Sequence, residues 1–137
     1  MKSTTPILLI DDDIVDSMSV KRALRELAAA NPLQVFHHAE AALEHLRGAG
    51  VAPPGLILLD LNMPRMNGLE FLQELKADPQ LRHIPVVILT TSREERDRAE
   101  SFALGAAGYM VKPIGHDLFV SVMRTIVDYW TLSETAA

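Results

Sequence analysis

No cysteine occurs in the 137 residues, so disulfides and thiolate metal sites are excluded and a reducing interior is permitted. No apolar run approaches membrane-spanning length. The opening Met1-Lys2-Ser3-Thr4-Thr5-Pro6 is too short and polar to lead a signal peptide, so a soluble, cytoplasmic protein is expected. Clustered positive charge is also missing. The 13 Lys and Arg are scattered and outnumbered by 18 Asp and Glu, for a net charge of -5, which argues against nucleic acid as a partner because phosphate contacts need grouped cations. Of the five His, only His37 and His38 are adjacent, and neighbouring strand positions face opposite sides; both are read as structural. No repeat, linker or low-complexity segment breaks the chain, whose length suits one domain.

What is present is organised around Gly55-Leu56-Ile57-Leu58-Leu59-Asp60-Leu61-Asn62-Met63-Pro64. An uncharged run enters a single carboxylate and then a Pro-containing turn, the pattern of a strand buried on both faces with Asp60 at its carboxyl end. Open parallel sheets place their chemistry outside those ends, so Asp60 is the first candidate residue, a solvated turn Asp being the alternative.

Four more strands are expected: 7–10, ending in Asp11-Asp12-Asp13; 33–37; 85–89, ending at Thr90-Thr91-Ser92; and 108–111, meeting Lys112-Pro113. Helical spacing fills the intervals. Val20, Leu24, Leu27 and Ala28 mark a helix stopped by Asn31-Pro32, and Ala39, Ala42, Leu43 and Leu46 one closed by Arg47-Gly48. Asn67-Gly68 opens a helix with Phe71, Leu72 and Leu75 inward, which stops near Asp78-Pro79. Ser92 and Glu95 form a capping box for a helix carrying Ala99, Phe102 and Ala103 and ended by Gly105, and a last helix runs from about His116 to Trp130. The alternation predicts an α/β fold: a doubly wound, five-stranded parallel sheet with helices on both faces.

On that sheet Asp11, Asp12, Asp60, Thr90 and Lys112 all fall on one edge. Clustered carboxylates repel unless a cation sits among them, and oxygen ligands suit Mg²⁺. Lys112 adds a point charge and Thr90 a donor, so the pocket suits a phosphoryl group, with a carboxylate able to act as nucleophile and form an aspartyl phosphate. Each residue taken singly has a plainer reading: helix cap for Asp11 to Asp13, turn residue for Thr90, surface charge for Lys112. Chance is a poor account of all of them landing at strand ends.

The pattern Leu9-Ile10-Asp11-Asp12-Asp13, Leu59-Asp60-Leu61-Asn62-Met63-Pro64-Arg65-Met66-Asn67-Gly68, Leu89-Thr90-Thr91 and Gly108-Tyr109-Met110-Val111-Lys112-Pro113 resembles the receiver domain of two-component response regulators. The resemblance spans roughly residues 6–130, which leaves 1–5 as a flexible N-terminus and 131–137 as a tail. It implies the flavodoxin-like strand order 2-1-3-4-5. It also implies that Asp60 takes a phosphoryl group from a phosphohistidine on a sensor histidine kinase, with Asp11 and Asp12 holding Mg²⁺ and Asn62 giving the metal its backbone carbonyl. Thr90 and Lys112 would bind the phosphoryl oxygens, Lys112-Pro113 would be a cis peptide, and Tyr109 would be the switch aromatic that turns inward as the Thr90 hydroxyl moves. The signal would leave through the face of the fourth helix, fifth strand and last helix, with no catalysis beyond self-phosphorylation and slow autodephosphorylation. Asn62 and Ser92 flank the pocket and are expected to set the phosphoryl lifetime; Asp13 is left as a helix cap.

In the last helix, Phe119, Val122, Met123, Ile126 and Trp130 lie on one side while Val120 and Val127 are apolar as well, a wider stripe than a core-facing helix needs. Phe119, Val120, Met123, Val127 and Trp130, with the tail, are therefore expected to form a homodimer interface, a well-buried terminal helix with a frayed tail being the alternative. The ending Val127-Asp128-Tyr129-Trp130-Thr131-Leu132 is similar to that of small response regulators paired with phytochrome-type photoreceptor kinases. Three rivals remain. A haloacid-dehalogenase-type phosphatase would need an acidic pair after the lysine, a flavodoxin-like cofactor carrier would need a phosphate-cradling loop where three acids stand, and a degenerate receiver would lack polar site residues that are present here.

Overall fold

Two uncharged tetrapeptides, Ile7–Ile10 (β1) and Leu56–Leu59 (β3), lie side by side at the centre of the sheet, every residue at most 1% exposed. The computed structural model describes residues 1–133. Leu33–Phe36 (β2), Val86–Thr90 (β4) and Gly108–Val111 (β5) complete a five-stranded parallel sheet in the order β2-β1-β3-β4-β5. The helices between them are Ile14–Glu26 (α1), Ala39–Leu46 (α2), Gly68–Ala77 (α3), Glu95–Ala103 (α4) and His116–Leu132 (α5).

Because successive strand residues face opposite sides, the core divides into two layers. Leu8, Ile10, Ile57, Leu59, Val86 and Ile88 face α2 and α3, where Leu43, Phe71, Leu72 and Leu75 meet them. Ile7, Leu9, Leu56, Leu58, Val87 and Leu89 face α1 and α5, packing on Val20, Ala23, Leu24, Phe119, Met123 and Ile126. Burying one such side chain is worth about 1.5–3 kcal/mol, so the doubly covered strands supply most of the stability. No helix among the described residues is long and apolar enough to cross a membrane.

Several local expectations are corrected. α1 stops at Glu26, before Asn31-Pro32, because Ala28 adopts φ 53° and the Ala29 N–H bonds back to the Leu24 carbonyl in a Schellman-type turn. α4 is not opened by a Ser92/Glu95 capping box: Glu94 is the N-cap, and the Ser92 hydroxyl donates instead to Asp97 Oδ2 at 2.6 Å. Ala99, Phe102 and Ala103 of α4 are exposed, while Ser101 is buried and donates to the Asp97 carbonyl. Residues 1–5 are not a loose arm, since the Met1 ammonium donates to the Trp130 carbonyl at 2.6 Å and the Asn31 amide to the carbonyls of Lys2 and Thr5. α5 takes in Thr131 and Leu132, and Ser133 caps it; the remainder of the expected tail lies outside the described residues.

Candidate functional site

Asp11, Asp60 and Lys112 each follow the last residue of their strand and extend its ladder by one bond. The Asp11 N–H donates to the Phe36 carbonyl (3.0 Å), the Asp60 N–H to Ile10 (3.0 Å) and the Lys112 N–H to Thr90 (2.7 Å). Their backbones are therefore as fixed as the strands, and only side-chain torsions remain to be set. Asp13 closes the turn above them: its Oδ1 accepts from the N–H of Val15 (2.8 Å) and Asp16 (3.2 Å) as the N-cap of α1, and its own N–H donates to Asp11 Oδ1 (2.9 Å). Gly68, first residue of α3, lies so close that a Cβ there would sit 2.8 Å from the Leu61 Cα and collide with the Asp60 carbonyl.

The side chains converge. Carboxylate oxygens of Asp11, Asp12 and Asp60 lie within 4.8 Å of one another, the first and third buried and the second exposed. Oxygens on one Mg²⁺ stand up to about 4.2 Å apart, so the three carboxylates are gathered on the scale of a single ion. Asp60 Oδ1 is buried and has no hydrogen-bond partner, an orphaned anion of the kind a cation satisfies, and the all-oxygen donor set fits a hard divalent ion. Burial pushes the Asp60 carboxyl above its ordinary value, against the pull of the Lys112 charge, the Thr90 hydroxyl and the N–H groups of Asn62 and Leu61. Burial raises Asp11 likewise, against its hydrogen bond from Lys112.

Lys112 holds its charge in this buried setting. Burial works against the ammonium, yet hydrogen bonds to Asp11 Oδ2 (2.8 Å) and Asp16 Oδ2 (2.6 Å) outweigh it and leave Lys112 above the usual lysine value. Asp60 Oδ2 is farther, at 3.9 Å. Asp16 is the residue that strand-end reasoning missed. The available signal was its place three residues after the Asp13 cap, in the first helical turn, where a side chain leans back toward the strand ends.

A model of the response regulator receiver domain matches residues 7–124. The chain belongs to that family. It is 38% identical over 134 residues to the response regulator Rcp1 of Synechocystis sp., covering 94% of this chain and 90% of that one. It is 33% identical over 127 residues to a probable methanogenesis regulatory protein, FilR2, of Methanothrix harundinacea, covering 90% and 82%. Among solved structures, the phosphorylated cyanobacterial phytochrome response regulator RcpA superposes with a TM-score of 0.91 at 31% identity, over 98% of this chain and 99% of that one. The Mn²⁺-bound form of Rcp1 gives 0.87 at 33% identity, over 97% and 99%.

The receiver's peripheral positions are arranged as follows. Thr90 is fully buried, and its Oγ1 accepts from the Ser92 N–H at 3.3 Å. The half-buried Tyr109 donates its phenol to the Ser92 carbonyl at 3.0 Å, so Ser92 joins the β4–α4 loop to both α4 and β5. Asn62 is exposed beside Asp60. The expected cis peptide at Lys112-Pro113 is not found: no described peptide bond is cis, and the trans form is the intrinsically favoured one by about 0.5–1 kcal/mol. The expected interface set is also divided. Phe119 and Met123 belong to the core beneath the sheet, with Val120, Val127 and Trp130 half-buried against it. The large apolar side chains that α5 exposes are Leu118, Tyr129 and Leu132. A 17-residue helix crossing a sheet turns its 3.6-residue period inward, and the stripe's width filled the core's edge first.

Proposed function

We propose that this receiver accepts a phosphoryl group on Asp60 from a phosphohistidine of a sensor histidine kinase and signals through its α4-β5-α5 face. The observation that carries the reading is the Asp60 carboxylate itself: it is gathered within 4.8 Å of Asp11 and Asp12, its Oδ1 has no hydrogen-bond partner, and its Oδ2 stands 3.9 Å from the Lys112 ammonium. In the transfer an Asp60 oxygen bonds to phosphorus as the histidine N–P bond breaks, and the electron pair leaves with the imidazole, which takes up a proton. Mg²⁺, held by Asp11, Asp12, Asp60 and the Asn62 backbone carbonyl, would supply charge neutralisation on the phosphoryl oxygens. Lys112 and the Thr90 hydroxyl meet the remaining oxygens. As Thr90 turns toward the phosphoryl group its acceptor contact with the Ser92 N–H loosens, and Ser92 carries the change to Tyr109 and α4. Asn62 and Ser92, flanking the pocket, set how readily water reaches the phosphoryl group.

Exposed apolar groups support the kinase as partner: Ile14, Val15 and Met18, which follow Asp11-Asp12-Asp13 in sequence, and Ile114, which follows Lys112-Pro113, are 64%, 70%, 65% and 97% exposed. Exposed apolar groups around a charged site mark a docking surface. Likeness to RcpA supports a phytochrome-type kinase as donor. A cytoplasmic location and a homodimer through the exposed part of α5 complete the proposal, with neither nucleic acid nor membrane as partner.

The test is intact mass after incubation with Mg²⁺ and acetyl phosphate. A gain of about 80 Da, one phosphoryl group, lost in Asp60→Asn and without Mg²⁺, is the expected result. A gain that persists in Asp60→Asn, or none even with a histidine kinase supplied, refutes it.

A further inference from the structure

An ammonium has three donors. On Lys112 two are taken, by Asp11 Oδ2 at 2.8 Å and Asp16 Oδ2 at 2.6 Å, while Asp60 Oδ2 at 3.9 Å lies beyond hydrogen-bond reach. The strand-end geometry accounts for Asp11 but not for Asp16. Asp16 stands in the first turn of α1, positioned by the Asp13 cap below it and by Val20, Ala23 and Leu24, which seat the helix in the core. It also lies outside the group of three carboxylates suited to a metal ion.

We propose that Asp16 is a positioning residue that holds the Lys112 ammonium off Asp60, keeping it out of hydrogen-bond reach of Asp60 Oδ2 and preserving the gap that a phosphoryl oxygen enters; this rests on the phosphoryl-accepting reading above. Lysine carries its charge on a flexible four-carbon stem, and opposite charges attract strongly in a buried pocket. With no second anchor the ammonium closes onto the Asp60 carboxylate, which masks the nucleophile and fills the space of the incoming group. Asp11 is a poor sole anchor, because it belongs to the acids that would hold the cation and would then share its carboxylate with that ion. Asp16 keeps its hold through that change. Two anchored N–H groups then leave the third for a phosphoryl oxygen, so the donor is in place before the transition state instead of being recruited during it.

The experiment compares wild type, Asp16→Asn and Asp16→Glu as full chains. Phosphoryl uptake from acetyl phosphate is followed by intact mass over a range of donor concentrations, Mg²⁺ affinity by calorimetry, and the Lys112 to Asp60 distance in metal-free crystals. In Asp16→Asn, uptake at saturating donor is expected to fall by about tenfold, below the 10²-fold that a full 1 Å misplacement can cost. Mg²⁺ affinity should change by less than about twofold, Lys112 should close to hydrogen-bond distance of Asp60, and Asp16→Glu should recover most of the rate. Unchanged or faster uptake in Asp16→Asn, or Lys112 still standing off Asp60, overturns the proposal. If Asp16→Asn does not fold, Asp16→Ser, which also removes the charge, decides by the same readings. Should wild type take up no phosphoryl group from any donor, the receiver reading fails by itself, and the Lys112 distance in the variant still decides the positioning role.

Discussion

At the scale of single residues, the pocket trades stability for readiness. The Asp60 carboxyl is held above its ordinary value of 3.8 by burial, so the folded state disfavours its charge more than the unfolded chain does. That cost is absent below pH 3.8 and complete once the pH exceeds the folded value. At neutral pH and without metal, Asp60→Asn is therefore expected to melt higher than wild type, by about 1 kcal/mol or ~4 °C, the scale of one unsatisfied buried group in a domain of this size. The gap should close as the pH falls through the folded value, where wild type takes up its proton. Thermal melts of both proteins from neutral to acid pH check it, and a variant less stable than wild type at pH 7 would contradict it. The residues at strand ends were legible in sequence because a strand's end is marked by its composition. Asp16 was less so: its place in the first turn after the Asp13 cap points it toward the strand ends, but does not say that its partner is a lysine 96 positions away.

Among elements, the contact between β3 and α3 is the one on which the site depends. Asn67 caps α3 by a capping box with Glu70, and Gly68 lets the helix start directly against the Asp60 peptide, its N–H donating to the Leu61 carbonyl at 3.1 Å. Gly68→Ala has no room for its methyl group and must push α3 or the Asp60 loop outward. The expected cost is about 1–3 kcal/mol from overpacking, with at least about a tenfold loss of phosphoryl uptake because Asp60 itself is displaced. Urea unfolding and initial uptake rates measure the two; full uptake by a destabilised variant would show that the contact serves the fold alone. α4 stands at the other extreme. Its single fully buried side chain is a serine, and it is joined to the pocket chiefly through Ser92, so it is the element freest to respond.

For the whole molecule, the last helix has two jobs that its sequence does not separate. Met123 is fully buried in the core layer that contains residues of β1, β3 and β4, whereas Tyr129 and Leu132 are 59% and 84% exposed. If α5 joins two copies, Leu132→Ser with Tyr129→Ser should convert a dimer to a monomer in light scattering at tens of micromolar while the melting temperature of the monomer unit holds. Met123→Ala should instead cost about 2–5 kcal/mol of fold stability whatever the oligomeric state. A wild-type chain of monomer mass would remove the dimer from the proposed function.

Composition and periodicity determined the five strands, their parallel direction and the edge on which Asp11, Asp12, Asp60, Thr90 and Lys112 fall, because each of these follows from local pattern and the alternation of strand with helix, while the order of the strands came with the resemblance to receiver domains. Tertiary structure alone decided which donors of Lys112 are taken, that Ser92 binds Asp97 in place of capping its helix, that the Met1 ammonium closes on Trp130, and which side of α5 is spent on the core. The physical reason is the same in each case. A strand or helix is specified by its own few residues, but a side-chain partner is specified by where two distant elements cross, and that position is set by the packing of the entire core.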